Sequence, residues 1–131
     1  MSALVAQRLL LAIAALLGGL AVAAGAFGAH ALGQRVGAEQ LAWWETGVRY
    51  QLAHALAMML AVLLARAGAG GAALVAAALL AAGTVIFSGT LYAMTLGAPR
   101  VLGAVTPIGG VAMLAGWLVL AWSVLGIGPR G

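Results

Sequence analysis

Very few side chains in this chain of 131 residues could carry out acid–base or nucleophilic chemistry. The only carboxylate side chains, Glu39 and Glu45, are six residues apart and point about 240° apart around a helix, which excludes a general acid–base pair. Ser88 lacks the Gly-x-Ser-x-Gly context of a hydrolase nucleophile, and no glycine-rich phosphate loop is present. We therefore predict no catalytic residue and no enzymatic activity.

The two histidines, His30 and His54, are the natural candidates for a metal or haem ligand. Zinc needs at least three protein ligands, and the third candidate, Glu45, projects from nearly the opposite helix face to His54. Two histidines can hold a haem in a helical bundle, but His54 lies about 7 Å deeper than Arg49, whereas His30 ends its helix. The sequence predicts no metal and no cofactor, with haem as the alternative.

Two pairs of side chains are four residues apart on one predicted helix. Tyr50 and His54 share a face, so a hydrogen bond from the Tyr hydroxyl to the imidazole is geometrically easy. The alternative is a structural histidine that fastens two helices together. Glu45 and Arg49 have the same spacing, and we expect an interfacial ion pair there. An exposed pair of this kind contributes little to stability.

The composition is typical of a protein dissolved in lipid. The chain is 66% hydrophobic and 6% charged, whereas a soluble domain has about 25% charged residues. Its mean hydropathy is +1.18. The net charge of +4 comes from scattered arginines rather than a basic patch, which disfavours nucleic-acid binding. The absence of Cys excludes disulfides and thiolate metal sites.

Arginines divide the sequence into apolar stretches long enough to cross a bilayer, which needs about 20 helical residues. The dividing residues are Arg8, Arg35, Arg66, Arg100 and Arg130. We expect one transmembrane domain, residues 1–131, that crosses at about residues 9–29, 48–65, 72–96 and 107–126. Continuous Ala, Leu and Val runs favour helices over a barrel. The sequence thus predicts an all-α integral membrane four-helix bundle with antiparallel neighbours and left-handed packing.

Two of the predicted helices have unusual boundaries. Only 16 residues separate Arg49 from Arg66, so we expect both side chains to snorkel and an interfacial stretch at Trp43-Trp44 to extend the helix backwards. Thr106-Pro107 is typical of a helix start, with the Thr hydroxyl able to cap free amides. The alternative is a helix that begins near Val101 and is kinked at the proline.

The ends of the chain leave two questions of topology. Arg8, the apolar run Leu9–Leu17 and the sequence Ala21-Val22-Ala23 imitate a cleavable signal peptide. The apolar run continues through Phe27, so we expect this segment to be retained as a crossing. Four crossings put both termini on one side. Arginines are balanced three to three between the sides, and we place the termini inside.

Each predicted helix has a stripe of small residues opposite a face of Leu, Ile or Val, and small residues let helix backbones approach closely in a bilayer. The stripe of the first crossing is Ala14, Gly18, Ala21, Gly25 and Gly28, and that of the second is Trp43, Gly47, Tyr50, His54, Ala57 and Ala61. The glycines expected to pack helices are Gly18, Gly25, Gly28, Gly47, Gly89, Gly109 and Gly116. Because neighbouring crossings alternate in direction, most polar residues of the crossings fall toward the same side of the membrane. They form one candidate cluster: His30, Tyr50, Gln51, His54, Ser88, Thr90, Tyr92 and Thr106.

Four blocks of sequence are shared with a known family: Gly25–Leu32, Trp44–Leu56, Phe87–Tyr92, and Thr106–Gly110 with Gly116-Trp117. On these blocks the chain resembles the domain of unknown function 423 family, whose eukaryotic relatives are called transmembrane protein 256. The resemblance implies a bacterial inner-membrane protein with four helices and no assigned activity. Arg49 stands where this family's Tyr-Gln-x-x-His-Ala block leads us to expect Gln, which argues against a role that requires a neutral side chain there.

Three functions are compatible with these residues. The leading hypothesis is a small, multi-pass inner-membrane protein without enzymatic activity, a structural, accessory or assembly subunit. Its partners would be membrane lipid and a larger membrane complex or further copies of itself. The alternative is a small transporter or proton-conducting protein that uses His30, Tyr50 and His54 as a relay. The third is a haem- or quinone-binding redox subunit.

Overall fold

The computed structural model describes residues 1–126, so Arg130 lies outside the described residues. Every regular element in that range is helical, with no strand. The long helices are α1 (Ala3–His30), α2 (Ala38–Leu64), α3 (Gly70–Thr95) and α4 (Thr106–Leu125). Short helical turns lie between them at Leu32–Gln34, Ala65–Ala69 and Arg100–Ala104.

Three continuous helical runs in residues 1–126 are long and apolar enough to cross a membrane: 3–34, 38–95 and 100–125. The helices α2 and α3 belong to one run of 58 residues, because a π-helical turn at Ala65–Ala69 joins them without a gap, although the backbone at Gly68 within this turn is not helical. The predicted all-α class is confirmed. The predicted four-helix bundle is not confirmed, since the four expected crossings correspond to three continuous helical runs.

The middle run bends back on itself at two glycines. Gly68 has φ 122° and Gly70 has φ 67°, both in the left-handed region that glycine adopts without strain. At the far ends of this run, the Thr95 hydroxyl donates a hydrogen bond of 3.0 Å to the backbone oxygen of Gln40. The helices α2 and α3 therefore lie side by side and antiparallel.

Replacing Gly70 with Ala should lower the free energy of unfolding by about 1 kcal/mol, because a side chain at this φ is strained. No atom lies within 4 Å of the added Cβ, so backbone strain alone determines the result. Gly71→Ala is the matched control, because Gly71 also has open space but no positive φ. SDS-induced unfolding in mixed micelles, followed by circular dichroism, measures both. Equal stability of the two variants would contradict the strain argument.

The helix starts show how the local sequence limits each element. The Ser2 hydroxyl caps α1 by accepting a hydrogen bond of 3.3 Å from the Val5 amide. The helix α2 begins at Ala38, ten residues before the expected crossing at 48, so Trp43 and Trp44 are helical as predicted. The helix α4 begins at Thr106 with proline in its first turn, but the Thr106 hydroxyl bonds backwards to Leu102 instead of capping α4.

The pair of α2 and α3 forms the centre of the protein. The helix α1 packs against α2 and touches α3, whereas α4 packs against α3 and touches α2. In the described residues α1 and α4 share no large interface, so they lie on opposite sides of the central pair. The core between the helices is built largely from small residues, such as Ala14, Ala61, Ala73 and Ala76, which are fully buried. Leu and Val side chains cover the outer surface.

Most of the glycines expected to pack helices face a neighbouring helix, and one of them does not. A Cβ added at Gly28, Gly47, Gly109 or Gly116 would lie within 3.0 Å of a neighbouring helix, and one at Gly18 or Gly25 would make ordinary contacts of 3.8 and 3.5 Å. Gly89 does not face another helix in the described residues, because no atom lies within 4 Å of a Cβ added there. Gly83 was not predicted as a packing glycine, but a Cβ there would lie 2.7 Å from the backbone oxygen of Gly109.

Candidate functional site

The predicted polar cluster is divided by the central pair of helices. One group, which we call the Gln51 group, joins α1, α2 and α3 and consists of Gln51, Tyr92, Ser88 and Trp44. A second, the His54 group, joins α2, α3 and α4 and consists of His54, Tyr50, Phe87 and Trp117. A bond between Thr90 and Thr106 links α3 to α4 separately. His30 belongs to none of these.

The Gln51 side chain is buried and bonds to two other helices at once. Its amide nitrogen donates to the backbone oxygen of Leu17 at 2.8 Å, and its amide oxygen accepts from the Tyr92 hydroxyl at 2.8 Å. One helical turn away, the Ser88 hydroxyl donates to the backbone oxygen of Gly47 at 2.7 Å. These bonds fix the positions of α1 and α3 relative to α2.

Trp44 completes the Gln51 group at its outer end. Its indole nitrogen donates to the backbone oxygen of Ala24 at 2.8 Å, and its ring lies 4.4 Å from the ring of Tyr92, centroid to centroid. The ring also fills the space left by Gly28, where a Cβ would come within 2.7 Å of it. Trp44 was predicted only as an interfacial residue. The missed signal is Gly28, which leaves room for a large ring on the facing helix.

The His54 ring has a hydrogen-bond partner at each nitrogen. Nδ1 lies 2.7 Å from the backbone oxygen of Tyr50, which can only accept, so Nδ1 carries a proton. The indole N–H of Trp117 donates to Nε2 at 3.1 Å, so Nε2 must accept. The two partners together select a neutral imidazole protonated at Nδ1. The predicted bond from the Tyr50 hydroxyl is not formed; instead, the two rings are parallel, at an interplanar angle of 10°.

Trp117→Phe should release Nε2 of His54 from its only donor in the described residues while preserving the aromatic packing. We expect the wild-type protein to show a single neutral tautomer protonated at Nδ1, and the variant to show exchange between tautomers. Nitrogen-15 NMR of histidine-labelled protein in detergent micelles distinguishes the two. The signals of His30 serve as an internal control, because His30 is exposed at the end of α1 and makes no described contact with Trp117. An unchanged His54 spectrum would contradict the assignment.

The charged side chains pair differently from the prediction. The predicted ion pair between Glu45 and Arg49 is not formed; Arg49 donates to the Thr46 hydroxyl at 3.3 Å instead. The ion pair found in residues 1–126 joins Arg100 to Glu39 at 3.0 Å. Arg100 also lies 5.2 Å from the ring centre of Trp43. Since this pair is exposed, it contributes little to stability.

Two apolar cavities flank the central pair and open along the lateral surface. A cavity of about 480 Å³ lies between α1 and α3, with Gln51, Ser88 and Tyr92 among its lining residues. Another of about 340 Å³ lies beside α4 and is lined by the His54 group. Neither contains a carboxylate or a cationic side chain in its lining. In residues 1–126, no three His, Cys, Asp or Glu side chains are close enough together to hold a metal ion.

The candidate site lies in the part of the chain that is shared with known proteins. A sequence profile described as "Protein of unknown function (DUF423)" matches residues 24–110, which include all eight residues of the predicted cluster. The chain belongs to this family. The predicted resemblance is therefore confirmed.

This DUF423 protein is similar to relatives across bacterial groups. It is 40% identical over 126 residues to the UPF0382 inner membrane protein YgdD of Escherichia coli strain K12, which covers 95% of each chain. It is 42% identical over 102 residues to the UPF0382 membrane protein YwdK of Bacillus subtilis strain 168, covering 77% of this chain and 83% of that one. No solved structure matches the DUF423 protein. The relatives' names agree with a membrane protein whose activity is unassigned.

Proposed function

We propose that this DUF423 protein is a small, non-enzymatic accessory or assembly subunit of the bacterial inner membrane that crosses the bilayer four times. Four crossings follow if the middle helical run crosses twice, once as α2 and once as α3. The 27 residues of α2 and the 26 of α3 each exceed the roughly 20 that a crossing requires. The bond between Thr95 and Gln40 supports the same topology, because it holds the two outer ends together.

The observation that carries the accessory role is that the buried polar side chains bond to the protein's own helices. Gln51 bonds to Leu17 and Tyr92, Ser88 bonds to Gly47, and His54 bonds to Tyr50 and Trp117. Every buried side-chain nitrogen or oxygen in residues 1–126 has a partner. Such a network organises helices, and it leaves no set of converging free groups for chemistry on a substrate.

The four crossings can be tested by labelling single cysteines, because the chain contains no Cys of its own. A membrane-impermeant maleimide is added separately to inverted and to right-side-out vesicles, so that it reaches opposite sides of the membrane in the two preparations. We expect Val36→Cys and Ala98→Cys to react from the same side. Ser2→Cys and Gly71→Cys should react from the other side. Labelling of Val36→Cys and Gly71→Cys from the same side would contradict a crossing by α2.

The accessory role can be tested by extracting the tagged protein from its own cells in a mild detergent and recording native mass spectra. We expect a companion protein in fixed stoichiometry or a defined homo-oligomer. Membranes that contain only the tag serve as the control for nonspecific capture. A monodisperse lone monomer would contradict the proposal.

The geometry does not favour the alternative of a proton-conducting protein. The single ring proton of the neutral His54 imidazole is donated to the Tyr50 backbone oxygen, and its free nitrogen lone pair accepts from Trp117. His30 makes no contact with the His54 group in the described residues. We expect liposomes that contain the protein to leak protons no faster than empty liposomes. A leak that His54→Ala abolishes would replace the accessory role with conduction. A haem absorption band in the native extract would replace the accessory role with a redox role.

A further inference from the structure

A small notch on the outer flank of α1 and α2 contains the two charged residues that were expected to pair. The notch has a volume of about 250 Å³ and is lined by Gly25, Gly28, Ala29, Trp44, Glu45, Val48 and Arg49. The glycines of α1 lack side chains, so Trp44 and Val48 of α2 pack closely against the α1 backbone at one wall of the notch. The two apolar cavities beside the central pair are lined by apolar and uncharged polar residues. The notch differs from them because it is lined by charged side chains.

The two charges in the notch are available to a ligand. Glu45 and Arg49 are both exposed and do not bond to each other. Arg49 uses one guanidinium nitrogen to donate to Thr46, which leaves its other donors free. The Glu45 carboxylate has no hydrogen bond or ion pair within residues 1–126. An anion and a cation therefore face the same small space.

The order of the two charges along α2 matches one class of lipid headgroup. Arg49 is one helical turn, about 6 Å, nearer the middle of α2 than Glu45. In an aminophospholipid, the phosphate lies next to the glycerol backbone and the ammonium group lies farther out toward water. A phosphate beside Arg49 would therefore put the ammonium beside Glu45. We propose that the notch binds the headgroup of phosphatidylethanolamine.

The same two residues select against the other common headgroups. Phosphatidylglycerol offers a phosphate to Arg49 but has no cation for Glu45, whose charge then repels the lipid. Phosphatidylcholine carries a cation but no N–H group that can donate to the carboxylate. This inference requires that α2 crosses the membrane, but it does not require a protein partner, so a lone monomer could still bind the lipid.

Native mass spectrometry of the detergent-solubilised full chain, titrated with dioleoyl phosphatidylethanolamine, phosphatidylglycerol and phosphatidylcholine, tests the proposal. We expect the wild-type protein to bind phosphatidylethanolamine most tightly. Arg49→Gln should weaken binding of phosphatidylethanolamine about tenfold, as expected for the loss of one charge-assisted contact. Glu45→Gln should weaken it about fivefold and should not weaken phosphatidylglycerol binding, because a repulsive charge is removed. Circular dichroism checks that both variants remain helical.

Arg35→Gln is the matched control, because it removes an exposed arginine that does not line the notch. It should leave the affinity for phosphatidylethanolamine unchanged. Three results would overturn the proposal: equal wild-type binding of phosphatidylethanolamine and phosphatidylglycerol, an equal loss of both lipids in Glu45→Gln, or a loss in Arg35→Gln as large as in Arg49→Gln. Any of these would indicate general attraction between arginines and lipid phosphates.

Discussion

Gly109→Ala should lower the free energy of unfolding by about 3 kcal/mol, at the upper end of the cost of overpacking a core. A Cβ at this position would lie 2.5 Å from the backbone nitrogen of Phe87 and 2.7 Å from the backbone oxygen of Gly83. Both atoms belong to the backbone of α3, so no side-chain rotation can relieve the clash. The helices α3 and α4 would have to separate, and the close contacts between them on either side of Gly109 would be lost.

The matched control for this variant is Gly89→Ala, which adds the same methyl group to α3 where no atom lies within 4 Å. It should be neutral or slightly stabilising, because Ala favours a helix over Gly. Unfolding by SDS in mixed micelles gives both free energies. Gly83→Ala should be about as damaging as Gly109→Ala, and the double variant should cost less than the sum, because the first methyl already separates the helices. Equal stability of Gly109→Ala and Gly89→Ala would contradict this account.

The buried face of α1 could be predicted from the sequence, whereas that of α2 could be predicted only in part. The stripe predicted for α1 contains all three of its buried residues, Ala14, Ala21 and Gly28. In α2 the predicted stripe included Trp43 and Tyr50, whereas the buried face includes their neighbours Trp44 and Gln51. The reason is that α2 packs against α1 on one side and α3 on another, so its buried surface is wider than one stripe.

The glycines between α2 and α3 indicate a turn, but they do not indicate the detailed form of that turn. A cluster of Gly68, Gly70 and Gly71 indicates a reversal of the chain, and two of these three residues have the positive φ that favours glycine. The residues Ala65–Ala69 nevertheless form a π-helical turn that joins α2 directly to α3, with non-helical backbone angles only at Gly68. Residue types alone do not distinguish a break in the helix from such a wide turn, because Ala is compatible with both.

The candidate site could be predicted as a set of residues but not as an arrangement. Tyr50 and Gln51 are adjacent in sequence and therefore point about 100° apart around α2. That difference sends Gln51 toward α1 and Tyr92, while Tyr50 packs on Phe87 in the His54 group. Assigning them to separate groups requires knowing which side of α2 each neighbour occupies. The partner of His54 was missed for a similar reason, since Trp117 is 63 residues away in sequence.

Among the polar contacts, Gln51 should have the largest effect on stability, because it joins three helices. Gln51→Leu removes the bonds to Leu17 and Tyr92 and should lower the free energy of unfolding by about 2 kcal/mol. Hydrogen bonds within a bilayer often contribute about 1 kcal/mol or less, but here the Tyr92 hydroxyl also loses its acceptor while half-buried. The helix α1 depends on this contact more than α3 does, because α1 packs mainly against α2.

A double-mutant cycle with Tyr92→Phe separates the two bonds of Gln51. Tyr92→Phe alone should cost about 1 kcal/mol, the worth of one hydrogen bond. Adding it to Gln51→Leu should cost nothing further, because it removes a hydroxyl that has already lost its acceptor. The part of the Gln51→Leu effect that remains is then due to the bond with Leu17. If the two substitutions were additive in SDS unfolding, Gln51 and Tyr92 would not be coupled, and the bond between them would not contribute to stability.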